Sequence, residues 1–152
     1  MFTLLTSPLN DVVTSDQVTL NFTKIPLSRE VSAQSYDYDP MNFQIQQKLH
    51  PEVKPLKINL PRETVFDGAV EVARETERLE VISLNKESFE IEAVTTSSFF
   101  KFKDDVLVKI LADGGSSIVH MRAKARLGKS DLGANAKRIQ NFLNQLEKKL
   151  EP

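Results

Sequence analysis

Two groups of side chains in the last third of the chain have types and spacings that could do chemistry. His120, Arg122, Lys124 and Arg126 alternate with Val119, Met121, Ala123 and Ala125. Alternate residues of a strand share one face, so these residues form a basic stripe suited to phosphate or an acidic protein surface. The second group is Asp104, Arg126, Asp131, Asn135 and Arg138. These residues bracket the point where a strand would hand over to a helix. A carboxylate among guanidinium and amide groups there makes either a polar binding corner or a buried lock. The lock is the plainer reading, because the group flanks a tight turn.

Other chemistries are excluded by residue type or by geometry. Gly128-Lys129-Ser130 precedes a helix as the end of a phosphate-binding loop would, but that motif needs a glycine where Ala123 stands inside a strand. What remains is a glycine turn, with weak anion binding by helix N–H groups near Lys129 as its furthest reach. Asp104 and Asp105 have no histidine or third carboxylate beside them in sequence. Strand neighbours also point to opposite faces, which defeats a metal site and a glycosidase pair alike. The chain contains no cysteine, which removes thiolate catalysis, thiolate metal sites and disulfides, and its two histidines are too few for a metal cluster. No cofactor is expected. The basic stripe lacks interleaved aromatics and Asp105 partly cancels it, which argues against nucleic acid.

Both groups depend on one hairpin. Asp113-Gly114-Gly115-Ser116 joins two alternating runs, and Gly-Gly suits the positive φ angles of a two-residue turn. In that register Ile110 faces Val119, Val108 faces Met121 and Val106 faces Ala123 on the core side. Lys109 faces His120, Leu107 faces Arg122 and Asp105 faces Lys124 on the other side, which is expected to be exposed. Asp104 turns towards the core opposite Ala125. It is expected to be paired with Arg126 or capped by N–H groups near Asp131, with a depressed pKa. Ser130 or Asp131 then caps a final helix, in which Leu132, Ala136, Ile139, Leu143, Leu146 and Leu150 keep the helical period, with Phe142 beside them.

Upstream, Leu56, Ile58 and Leu60 alternate, and Pro61 opens a helix reaching about Glu77, with Val65, Phe66, Ala69, Val70 and Ala73 on one face. Strands follow at Glu80–Leu84 and Phe89–Ala93. The fold predicted is α+β: a single curved antiparallel sheet with two helices packed on one face and an extended N-terminal arm. Residues 1–53 are read as the arm and 54–152 as the core, one structural domain overall. The arm is expected to hold a short strand at Val18–Phe22 and a brief helix at Met41–Leu49. The net charge of −1 over 152 residues makes no global case for nucleic acid or membrane. The start, MFTLLTSPLNDVV, has neither the basic region of a signal peptide nor an apolar run long enough to span a bilayer.

Several segments resemble the domain-of-unknown-function family 1499. They are HPEVKPLKI, the helix around Phe66 and Ala69, IEAVTTSSFFKFKDDVLVKI, and above all MRAKARLGKSDLGANAKRI. Asp104, Asp105, Arg122, Arg126, Gly128, Asp131, Leu132, Gly133, Asn135 and Arg138 match the family's aspartate pair, strand end and helix start. The opening SPLNDVVTSD resembles its Pro-x-Asn-Asp segment. Serines of the family's strand end are Ala123 and Ala125 here, both core-facing in this register, so small size is the requirement and a serine nucleophile is not expected. The resemblance implies no activity and leaves envelope association open. The reading that follows is a non-enzymatic binding or assembly module acting through the basic sheet face or a sheet–helix cleft. Its partner would be an acidic protein surface or a small hydrophobic ligand. A carrier with a deep pocket lined by Phe99, Phe100 and Phe102 is the first alternative, and an enzyme using the Asp104–Arg126 corner is the second.

Overall fold

The computed structural model describes residues 9–28, 35–128 and 130–152. In chain order the elements are β1 (Asp11–Val13), α1 (Met41–Leu49), β2 (Leu56–Ile58), α2 (Arg62–Glu75), β3 (Leu79–Asn85), β4 (Glu90–Thr96), β5 (Lys103–Asp113), β6 (Ser116–Ala125) and α3 (Ala134–Lys149). The β5–β6 hairpin has the register that its Gly-Gly turn and alternation predict, with Asp104 opposite Ala125 and Ile110 opposite Val119. Only Gly114 takes a positive φ, 61°, which is the pattern of a type II′ turn.

All pairings are antiparallel and the strand order is β1-β6-β5-β4-β3. The outer edge of β6 is shared by two short strands. β1 pairs with Arg122–Lys124 and β2 with Ser117–Val119. The far side of β1 is closed by a side chain: Val13 N–H donates to Gln46 Oε1 at 3.1 Å, and Gln46 Nε2 donates to the Val13 carbonyl at 2.6 Å.

Helices α2 and α3 pack on the same face of the sheet. They approach closely at Gly68, where a Cβ would lie 3.0 Å from Leu150 Cδ2. Val65, Phe66, Ala69, Ile139, Leu143 and Leu146 meet Ile91, Val106, Val108, Val119 and Met121 in the main core. Helix α3 starts later than Ser130 or Asp131. A turn intervenes, in which Leu132 N–H donates to Ser130 Oγ at 3.2 Å and Gly133 N–H donates to Asp131 Oδ1 at 2.8 Å. Leu132 and Gly133 are both left-handed, and no side chain caps the helix.

The opposite face is not solvated, contrary to the expectation from charge alternation. Residues of the N-terminal segment lie on it, and Val13, Leu20, Phe22 and Ile25 form a second core with Val94 and Leu107. Leu20 and Phe22 are buried and Asn21 is exposed, so the alternation predicted there persists without a strand. The reason is that the Leu20 carbonyl accepts from Arg122 Nη1 at 2.8 Å instead of from a neighbouring strand.

Candidate functional site

The stripe His120, Arg122, Lys124 and Arg126 does occupy one sheet face, but it serves as the seat of the N-terminal segment. Arg122 is 0% exposed. Its Nε and Nη2 donate to the two Asp11 oxygens at 3.0 and 2.8 Å, and Nη2 also donates to the Tyr36 carbonyl at 2.7 Å. Phe22 and Tyr38 lie over the guanidinium. Burying a charge is tolerable only with this degree of pairing, and here most of the partners come from the segment that covers it. His120 and Lys124 are buried too. Burial lowers the His120 pKa, and Lys109 lowers it further. The stripe is therefore not a surface that an external partner could meet.

Glu92 and Asp105 complete this polar layer. The Glu92 carboxylate accepts from Thr23 Oγ1 and from the N–H groups of Thr23, Lys24 and Ile25 at 2.9–3.1 Å. Asp105, expected to be exposed, is fully buried. It accepts from the Tyr36 hydroxyl at 2.7 Å and from Arg126 Nε at 2.9 Å. Sequence reasoning missed Asp11 and Glu92. For Asp11 a signal existed in the SPLNDVV segment: Asp11 holds Arg122, and Asn10 Nδ2 donates to the Gly128 carbonyl at 2.7 Å. The two most distinctive stretches of sequence thus clasp each other.

The polar corner assembles with one substitution of partners. Strand parity puts Arg126 on the face of Arg122 and Lys124, where it pairs with Asp105, so the predicted Asp104–Arg126 pair does not form. Asp104 is instead held by Arg138, whose Nη1 donates to Asp104 Oδ2 at 2.8 Å and also to Asn135 Oδ1. Asp131 Oδ2 and Asn135 Nδ2 are buried nearby without hydrogen-bond partners among the described residues. Lys129, to which anion binding was assigned, lies outside the described residues.

The Asp104 pKa is raised rather than depressed. Burial pushes it up, and the Arg138 cation pulls it back only in part. A carboxyl with a raised folded pKa contributes stability that is present below its unfolded value, about 3.9, and lost as pH rises through the folded one. The Asp104→Asn protein should therefore compare best with wild type near about pH 7 and lose that relative advantage at about pH 3. Melting temperatures of the two proteins at both pH values check this. A penalty at neutral pH that disappears in acid would mean that the Arg138 pair outweighs burial.

Two cavities flank this corner. One, about 330 Å³, lies between α3 and the sheet, with Val106, Met121 and Phe142 beneath and Arg78, Lys137 and Gln145 among its polar lining. The other, about 290 Å³, is lined by Phe102, Ala125, Leu127 and Leu132 together with Asp104 and Asp131. Ala134 and Arg138 line both. Phe99 and Phe100 line neither cavity and are exposed, so the three-phenylalanine pocket does not form. Among the described residues no three metal-ligating side chains come together, and no helix is long and apolar enough to cross a membrane.

Comparison with known proteins gives a family and a fold. The family described as "Protein of unknown function (DUF1499)" matches residues 12–146. No curated protein matches the chain by sequence. Among solved structures, CalU16 from Micromonospora echinospora is 8% identical with a TM-score of 0.50, over 64% of this chain and 74% of its own. Ara h 8.0201 is 10% identical with a TM-score of 0.48, over 62% of this chain and 92% of its own. The first likeness is one of fold alone: a helix-grip arrangement, an antiparallel sheet around a long C-terminal helix.

Proposed function

Since the chain belongs to DUF1499, a family of unknown function, we propose from its own geometry that it is a non-enzymatic binding module. Its ligand would be a small amphipathic molecule with an anionic end, held in the cleft between α3 and the sheet. The observation that carries this reading is the position of Arg138, which lines both cavities at their common boundary. Its bonds to Asp104 and Asn135 both engage Nη1. A guanidinium has five N–H donors, so others remain for a ligand anion. The apolar floor of Val106, Met121 and Phe142 would take the rest of the molecule. Each cavity is near the lower end of the usual range for small-molecule sites, about 300–1,000 Å³. Burial of Arg122 and Lys124 argues against the basic face as the binding surface. The diversion of Arg126 to Asp105 argues against the enzymatic reading of the corner, which needed Asp104 and Arg126 together.

The test is fluorescence titration with anilinonaphthalene sulfonate, an apolar probe with an anionic group. The folded protein should bind it saturably. Ala134→Trp, at an exposed position shared by both cavities, should abolish binding. Arg138→Gln should weaken it about tenfold, equivalent to ~1.4 kcal/mol. Absence of saturable binding, or unchanged binding by both variants, overturns the proposal.

A further inference from the structure

The β4–β5 loop and the β6–α3 loop stand side by side at one end of the sheet. Arg126 N–H donates to the Lys103 carbonyl at 3.1 Å, and Phe102, Leu127 and Leu132 line the same cavity. From these two loops Phe99, Phe100, Phe102, Leu127 and Leu132 project with exposures of 55–81%. Among the described residues the other exposed large apolar side chains, Leu27, Met41 and Ile82, lie in three separate parts of the chain. Single exposed apolar residues are ordinary, whereas a cluster of this kind marks an interaction surface.

The aromatic loop is held open rather than folded back. Ser97 N–H donates to the Phe102 carbonyl and Phe102 N–H donates to Ser97 Oγ, each at 2.8 Å, which closes the loop at its base. The Phe100 ring touches both of the others, with centroids 4.8 Å apart for Phe99 and Phe100 and 5.4 Å for Phe100 and Phe102. Lys101 and Leu132 hold left-handed backbone at φ 59° and 55°. Such strain persists only where the surrounding structure imposes it.

Exposed charge beside the aromatic loop is positive. Lys101 and Lys103 are exposed beside the phenylalanines. Two acids line the adjoining cavity: Asp104 is paired with Arg138, and Asp131 Oδ2 is buried. Aromatic and leucine side chains with lysines at positions 101 and 103 fit the boundary of an anionic bilayer, with the apolar groups among the acyl chains and the ammonium groups at the phosphates. We propose that this end of the molecule docks on membranes containing anionic lipid, inserting the Phe99–Phe100–Phe102 loop. The inference does not depend on the cleft holding a ligand.

Co-sedimentation of the whole chain tests it, with vesicles of phosphatidylcholine alone and vesicles containing one-third phosphatidylserine. Wild type should bind the anionic vesicles, and binding should weaken as salt is added. The Phe99→Ser/Phe100→Ser double variant should keep the wild-type melting temperature, since both side chains are exposed, and bind at least about tenfold more weakly. Lys101→Glu/Lys103→Glu should lose the preference for phosphatidylserine. Wild type that stays in the supernatant, or a serine variant that binds equally well, overturns the proposal. Equal binding to both kinds of vesicle overturns its electrostatic half. Self-association in sedimentation velocity that disappears in the serine variant, with no vesicle binding, would assign the surface to a second copy instead. Anilinonaphthalene sulfonate binding by the serine variant reports on the cleft separately.

Discussion

Asp11→Ala should destabilise the fold by about 3–5 kcal/mol, the usual effect of removing one partner from a buried ion pair. Arg122 has no exposure with which to recover water, and Asp11 supplies both of its carboxylate acceptors. The measurement is the urea midpoint. The loss should appear without a change in slope if the sheet unfolds as one unit. Removing the other partner, as in Arg122→Met, should be just as harmful, because the carbonyls of Leu20 and Tyr36 would lose their donor. That variant should also release the N-terminal segment to protease before the helices open. Charge reversal at Arg122 and Lys124, harmless on an exposed face, should prevent folding. An Asp11→Ala protein with a wild-type midpoint would mean that the segment lies on the sheet without being held by this pair.

Ile139→Ala should cost about 2–5 kcal/mol, the range for truncating a fully buried aliphatic side chain. Ile139 is in the main core, on the helix that the sheet grips, and cannot be reached by solvent. Leu146→Ala belongs to the same range for the same reason. Loss of near-ultraviolet signal and a lower midpoint are the readouts. Unchanged melting in both variants would show that α3 is peripheral to stability, and the cleft would then lose its rigid wall.

Much of this architecture was legible because two local signals agreed. The Gly114-Gly115 turn and the period-two pattern around it specified the register of β5 on β6 down to Asp104 opposite Ala125. Core-facing Ala123 and Ala125 followed directly. The error lay on the other side of the same hairpin. Alternating charge normally means water, yet here His120, Arg122 and Lys124 are buried, and the covering segment, beyond the three residues of β1, forms no ladder to announce it. From Leu20 to Ile25 its hydrogen bonds to the sheet run through side chains and span 67 to 102 residues, as with Glu92 and the Ile25 N–H or Arg122 and the Leu20 carbonyl, and no periodicity encodes such contacts. Arg126 was misplaced for a different reason. Parity already assigned it to the face of Asp105, and placing it beside Asp104 overrode that rule. The two cavities depend on how far α3 stands from the sheet, which is set by packing and not by the order of residues.

The clasp between Asp11 and Arg122 also sets a timetable for synthesis. These residues are 111 positions apart, so a ribosome adding about 5–20 residues per second makes the carboxylate on the order of ten seconds before its guanidinium. During that interval the nascent chain carries Leu20, Phe22 and Ile25 with no sheet to cover. The β3–β4 and β4–β5 hairpins, whose partners are close in sequence, can form as they emerge. A segment made well before the sheet is thus among the last to be seated, and any chaperone that attends this protein should be needed there.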